Sequence, residues 1–509
     1  SLNQTLDFNI RSLLNGMDWY RNLQNNQNSN SSSPADTTTG LTEKQFGKTI
    51  GDIGKKVVGG ILSIQSMDFS FNISQSSLQS GYAGTSPLYD MFGRSSGEYS
   101  PPFSYRTGFA NEIGLNQLIE NPSENSSLQL PSNRNLTDDI TVRSRLQPFD
   151  NLTIDLSWNS KWNETNTKSI TIDPNQNLST VRSQNGSISS SIWAFGSGYE
   201  AFFKKQLRTA FDDIGDNTDI TDSTGNSDGR TVLGRTALQE DFRQSYLAFS
   251  QGAIGDRNFT PFPLPGWRIT WTGLEKFIPY FGDFMSRASI SHNYSGTYRL
   301  GWVFNADQSL LPDISLGAYS VTNRRPEFEP NSINIEKRFS PLVGLNLTWE
   351  SNLRTNIQYE QSKVTSLALS NSTVIERLSK GLKLTFAYTI RNFKIPFFKR
   401  LDNAVDITLN GSYIEDEEKK FELDSDLDEA LAAGPDDIIK DPDRADFSST
   451  VTGGQARING SAVIGYQFSQ MIQANFEYNY SKLIPKTSGV YGRTDHDILF
   501  NIVVSIRSN

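Results

Sequence analysis

The sequence predicts an all-β fold, a transmembrane antiparallel β-barrel with small helical or loop inserts. Three observations carry this expectation. Many stretches alternate between apolar and polar residues, which marks strands with two unlike faces. Some alternate for longer than the ~9–11 residues a strand needs to cross a bilayer. Tight turns are also interspersed with long links, as barrels of the outer-membrane type show.

Taken in order, residues 1–60 read as a strand, a polar low-complexity loop from Asn25 to Gly40, and a short helix from Lys44 to Ile61 that ends at Gly59-Gly60. Residues 61–286 read as barrel strands with periplasmic or lumenal inserts. Met67, Phe69, Phe71 and Ile73 share one strand face, and Leu152, Ile154, Leu156 and Trp158 another. Gly198 to Asp213, with Phe202, Phe203, Leu207 and Phe211, has helical spacing. Residues 287–509 read as long barrel strands. One face holds Ala288, Ile290, His292, Tyr294, Gly296, Tyr298, Leu300, Trp302 and Phe304, and a second runs unbroken from Leu353 to Leu369. Shorter runs follow: Leu382 to Ile390, Val405 to Tyr413, Ile472 to Tyr480 and Ile498 to Ile506. Glu350-Ser351-Asn352 and Phe468-Ser469-Gln470 read as tight turns, and 306–332 and 414–455 as long extracellular loops.

Composition fits a barrel and excludes several function classes. Hydrophobic residues are 36% of the 509, and mean hydropathy is −0.47, a soluble-looking average that a two-faced membrane strand also gives. No stretch approaches the ~20 apolar residues of a transmembrane helix. A net charge of −9 argues against nucleic acid as a partner. With no cysteine, disulfides, thiolate nucleophiles and cysteine zinc sites are excluded. The start, Ser1-Leu2-Asn3, has no secretory leader, so a leader was removed or the chain is part of something longer.

Nothing assembles an enzyme site, and no cofactor is expected. The two histidines, His292 and His496, cannot make a histidine-rich metal site. The carboxylate pairs, such as Asp212-Asp213, fall in loop-like sequence. Asp216 to Asp228 is rich in oxygen ligands but lacks the EF-hand order. Glu415-Asp416-Glu417-Glu418 reads as a solvated loop. Frequent Asn-x-Ser/Thr triplets put both polar residues on one strand face, as a polar lumen lining would. Trp158, Trp302, Trp349, Tyr388, Tyr413, Tyr466 and Tyr480 are expected as interfacial aromatics.

One segment is more specific. Pro261-Phe262-Pro263-Leu264-Pro265-Gly266-Trp267-Arg268, continuing through Trp271, Gly273, Leu274 and Lys276 to His292, Tyr294 and Tyr298, resembles a signature of the SprA/Sov family. These are giant outer-membrane translocon barrels of the Bacteroidota type IX secretion system. Gly266 and Trp271 depart from the family's usual Asn and Tyr but keep turn-forming and aromatic character. Tyr246-Leu247-Ala248-Phe249, and the strand openings Gln147 to Leu152 and Ser340 to Gly344, also resemble family segments. The resemblance spans roughly residue 61 to the C-terminus. It implies that the chain is the C-terminal portion of a ~36-stranded barrel in the outer membrane of a Bacteroidota-like bacterium. It also implies a channel that exports folded cargo proteins to the cell surface. The implied partners are outer-membrane lipids, secreted cargo, a plug protein, a surface lipoprotein and a periplasmic peptidyl-prolyl isomerase-like subunit. Two other readings stay open: a self-contained porin or receptor barrel, and a secreted β-rich adhesin.

Overall fold

The computed structural model describes residues 2–8, 64–80, 128–149, 151–172, 178–215, 232–247, 264–276, 282–304, 315–316, 319–320, 328–394, 402–423, 450–468, 472–487 and 489–504. In chain order these form β1 (Leu2–Phe8), β2 (Ile64–Gln79), β3 (Leu128–Phe149), β4 (Leu152–Ile172), β5 (Leu178–Ser191), α1 (Tyr199–Gly215), α2 (Val232–Tyr246), β6 (Gly266–Thr272) and β7 (Met285–Phe304). A small pair, β8 (Ser315–Leu316) and β9 (Tyr319–Ser320), stands apart. Then come β10 (Phe328–Trp349), β11 (Arg354–Ala368), β12 (Thr373–Lys394), β13 (Asp402–Glu422), β14 (Thr450–Gln467), β15 (Ile472–Pro485) and β16 (Arg493–Val504).

The chain is mostly β, as expected. Its main sheet is an antiparallel meander in the order β1-β2-β3-β4-β5-β7-β10-β11-β12-β13-β14-β15-β16, with β6 paired to β4 and β7. Several strands have 20 to 22 residues, about 70 Å at ~3.3 Å per residue.

Register keeps the two strand faces separate across the sheet. One line of opposed residues reads Ile290, Leu345, Ile357, Leu384, Gly411, Gly460, Tyr480, His496. The neighbouring line on the other face reads Ser289, Asn346, Asn356, Thr385, Asn410, Ser461, Asn479, Asp497. These are an apolar and a polar face, as the alternation predicts.

The chain direction defines two ends. The turns 350–353 and 468–471 lie at one end, with the turn between β3 and β4. The first is closed by Trp349 N–H to Leu353 O at 2.8 Å, with Asn352 at φ 64°. The strand ends Phe304 and Phe328, and Glu422 and Thr450, lie at the opposite, far end. So do the short turn 369–372 and the strand ends Ile172 and Leu178, while Phe8 and Ile64 lie at the tight-turn end. The alternation of link lengths is therefore less regular than the sequence suggests.

Three sequence expectations need correction. The far-end links are shorter than 306–332 and 414–455, because the strands reach Phe304, Phe328, Glu422 and Thr450. The run Glu415 to Glu418 lies inside β13, not in a loop. There Lys486 Nζ sits 2.7 Å from Glu415 and 2.8 Å from Glu417, and Arg377 lies 2.5 Å from Glu418. Cations from the adjacent β12 and from just past the end of β15 make the run compatible with a ladder. Third, Ser340 to Gly344 does not open a strand but lies midway along β10, at a register shift. The helix expected at 44–61, the oxygen-rich stretch 216–228 and Pro263 lie outside the described residues.

The helix read over 198–213 is α1. It packs with α2 on the apolar-parity face near the far end. Phe202, Phe203, Leu207 and Phe242 close over Tyr298, Leu300, Ile333, Leu367, Val374 and Phe421, all nearly inaccessible to solvent. Phe202 meets Phe242 edge-on at 5.3 Å.

Truncating Phe202 to Ala should cost the helix docking about 3–5 kcal/mol. Hydrogen exchange is expected to speed up across α1 and α2 while β12 and β13 stay protected.

Candidate functional site

Four residues of the motif, Trp267, His292, Tyr294 and Tyr298, lie around a break in one strand. β4 pairs with β5 over Ser160–Ile172 and with β6 over Leu152–Ser157. β7 pairs with β6 over Ser289–Tyr294 and with β5 over Thr297–Phe304. β5 and β6 thus fill one strand position between them, and their 14 and 7 residues together match the 21 of β4. Residues 192–265 leave the sheet at the break and carry α1 and α2.

Main-chain and side-chain bonds tie the two ends of this excursion together. Leu264 N–H donates to Ser191 O at 2.8 Å, and Ile192 N–H to Gly296 O at 3.0 Å. The Tyr294 hydroxyl, 1% exposed, accepts from Ala194 N–H at 2.8 Å and donates to Ile192 O at 3.1 Å. It thereby satisfies two backbone groups that have left the ladder. Trp193 Nε1–H donates to Pro265 O at 2.8 Å. Gly296 leaves room for this crossing, because a Cβ there would meet Ile192 O and the Tyr294 hydroxyl.

Aromatic rings cover the break. Trp267 stacks on Tyr294 at 4.3 Å and meets Trp193 edge-on at 5.8 Å. Phe195 stacks on the other side of the group, 4.8 Å from Tyr294. His292 lies 6.3 Å from Trp267, and its Nδ1 is 2.6 Å from Leu342 O. Beside it, Asn293 Nδ2–H donates to Ser340 O at 3.1 Å, so β7 captures two carbonyls of the β10 irregularity. Tyr298 reaches the helices and accepts from Gln239 at 3.3 Å.

Other motif residues lie elsewhere. Arg268 is exposed on the polar-parity side of β6. Gly273, at φ +77°, and Leu274 start the short turn beyond β6, at the tight-turn end. Trp267 is therefore away from that end, in mid-sheet. Trp193, Phe195 and Gly296 complete the clamp without standing out in sequence.

Above the clamp, Tyr246 of α2 donates to Glu376 at 2.9 Å. Burial, reinforced by the Glu376 carboxylate, holds its phenol well above the usual range. At the far-end turn, Glu415 and Glu417 hold the Lys486 ammonium above its ordinary value.

No protein-family model and no curated protein matches the chain.

The largest candidate surface among the described residues is the sheet itself. On β12 to β16 the apolar face is uncovered: Leu409 is 46% exposed, Phe476 39% and Phe500 63%. The run on β13 spans Val405 to Tyr413, then gives way to Glu415. On β15 it spans Ile472 to Tyr480, then gives way to Lys482. Trp349 and Tyr466 end the runs on β10 and β14 at the tight-turn end. Trp158 lies beyond the band's far-end margin, one row past Leu156, whose row runs through Trp267, Tyr294, Phe339 and Gln361 to Lys380 and Glu415, while Tyr388 sits inside the band. Trp302 does not belong to it. It is 1% exposed, lies toward the far end and contacts Trp162 at 5.4 Å.

Amides and hydroxyls on the opposite face bond across strands. Thr385 donates to Asn410 at 3.0 Å, Asn410 to Ser461 at 3.0 Å, and Asn459 to Ser412 at 3.2 Å. Asn356 donates to Asn346. This surface can hold a continuous layer of water.

Replacing Tyr294 with Phe should leave Ala194 N–H and Ile192 O buried without this partner, costing about 1–3 kcal/mol. Limited proteolysis within 192–265 should accelerate while the strands resist.

Proposed function

We propose that this chain forms part of the wall of an outer-membrane β-barrel that conducts proteins outward. The observation that carries the membrane reading is the uncovered apolar band. It is about nine residues tall, which at ordinary strand tilt matches the ~25 Å apolar belt of outer-membrane barrels. A β-sandwich would cover such a face with a second sheet. Aromatic residues close several of its strand runs, and the polar face behind it is suited to a hydrated lumen. The surplus strand length extends at the far end, which in this reading is extracellular.

The wide-barrel reading is supported by the strand count. Across the thirteen strand positions of the described residues, β1 and β16 run parallel to each other. Bacterial single-chain barrels close with an even number of strands, and an open edge in lipid leaves costly unpaired backbone groups. Strands beyond these thirteen would resolve both problems. This weighs against a small self-contained porin or receptor.

The protein-conduit reading rests on the resemblance of residues 261–276, His292, Tyr294 and Tyr298 to SprA/Sov translocons. In this reading the polar face hydrates a path for folded cargo, and no residue acts as a catalyst. A plug protein, a surface lipoprotein and a peptidyl-prolyl isomerase-like subunit would be its partners. The clamp at the strand break keeps the sheet continuous across the excursion.

Two measurements test this. Purified from membranes in mild detergent, the protein should run as a chain several times 56.9 kDa with co-purifying partners. A water-soluble species near 56.9 kDa would sink the membrane reading and favour an adhesin. Secondly, Leu409→Arg should destabilise the membrane-inserted form by about 2–4 kcal/mol, as for a cation at mid-bilayer. Asn410→Arg, one residue along on the polar face, should cost far less in the same unfolding assay. Equal costs would contradict the facing assigned here.

A further inference from the structure

We propose that Lys337 and Lys380 mark a contact site for phosphate-bearing lipid headgroups, just above the apolar band at its far-end margin. The inference rests on the membrane reading above. Two rows beyond the band, the apolar-parity face of β10 to β13 turns charged. Lys337 opposes Lys363, Lys363 opposes Leu378, and Leu378 opposes Glu417. One row nearer the band, Lys380 opposes Glu415. With Glu376, Lys419 and Lys486, this collar has five lysines and three glutamates, a net +2 on a chain whose total is −9.

The collar pairs most of its own charge. Lys363 meets Glu376 at 2.9 Å, Lys419 meets Glu417 at 3.3 Å, and Lys486 holds Glu415 and Glu417. Among the described residues, Lys337 and Lys380 have no carboxylate partner. Directly opposed like charges, such as Lys337 and Lys363, destabilise a strand pair. Lys337 also stands 5.2 Å from the Phe195 ring centroid and 5.9 Å from that of Phe339. Lys337 thus sits beside two aromatic rings, and Lys380 lies exposed one row nearer the band, both at the height where lipid headgroups begin in this reading, an arrangement suited to anionic heads.

The occupant we assign is an anionic lipid phosphate of the leaflet at the far end. Lysines near a charged bilayer contribute additively, so losing both should weaken binding to anionic lipid about 30-fold. The test is partition of the detergent-purified protein into nanodiscs of phosphatidylglycerol, with phosphatidylcholine nanodiscs and inorganic phosphate as controls. The Lys337→Gln/Lys380→Gln double variant should lose the preference for phosphatidylglycerol and keep its uptake into phosphatidylcholine. Lys337→Arg/Lys380→Arg should restore the preference. Equal preference in wild type and the Gln variant overturns the site. Competition by millimolar inorganic phosphate also overturns it, as the signature of a free-anion site. Failure of wild type to enter either nanodisc instead defeats the membrane reading itself. Should the double variant misfold, Lys380→Gln alone, at an exposed position, carries the same comparison with about a 5-fold effect.

Discussion

Everything in this structure depends on parity. A strand's side chains alternate with a period of two, so a register slip of one residue between any two neighbours would move apolar side chains to the polar face. Here the pairing carries one parity from β2 to β16. Where the ladder is irregular, as in β10 between Phe339 and Val343, the offset brings Leu345 back opposite Ile290 and Ile357. The irregularity is bridged by side-chain bonds from His292 and Asn293. An irregular ladder is thus reconciled with unbroken faces.

The same constraint explains how the sheet accommodates a large insert. Residues 192–265 leave at Ser191 and return by Gly266, and β6 resumes β5's place with its apolar residues on the original side. Ile269 lies between Ile154 and His292, as Ile188 lies between Trp162 and Leu300. The helices then cover the part of the apolar-parity face beyond the band. One face therefore serves two environments. Its lower part is left uncovered, and its upper part becomes an ordinary hydrophobic core with Phe202, Phe242 and Phe421.

Much of the strand plan was legible in the sequence, because alternation is a local signal. The runs on β7, β11, β12, β13 and β15 fall where it placed them, as does that on β16 up to Val504, with Ile506 outside the described residues. β5 was not legible: on the side where Ile188 points, it offers Arg182, Gln184 and Gly186. Its partners on β4 and β7 position it instead. The acidic run misled for a related reason. The lysine nearest Glu417 in space is 69 residues away in sequence, so neighbouring residues suggest only solvation. Of the motif residues, sequence singled out Trp267, His292, Tyr294 and Tyr298 but not their meeting point. That point is created by Trp193 and Phe195, whose importance comes from where the strand breaks. The helical stripe of α1 was readable, but an amphipathic pattern names only the side that is buried, not the surface that buries it.

The divided strand has a consequence for how such a sheet can change over generations. An insertion between two strands must preserve their direction and spacing, or the sheet gains or loses a position. An insertion inside a strand, rejoined in the same slot, leaves the number of positions untouched. The excursion at Ser191 is therefore a cassette. It can be lengthened, exchanged or erased by recombination without altering the number of strand positions in the sheet, provided the clamp around Tyr294 is kept.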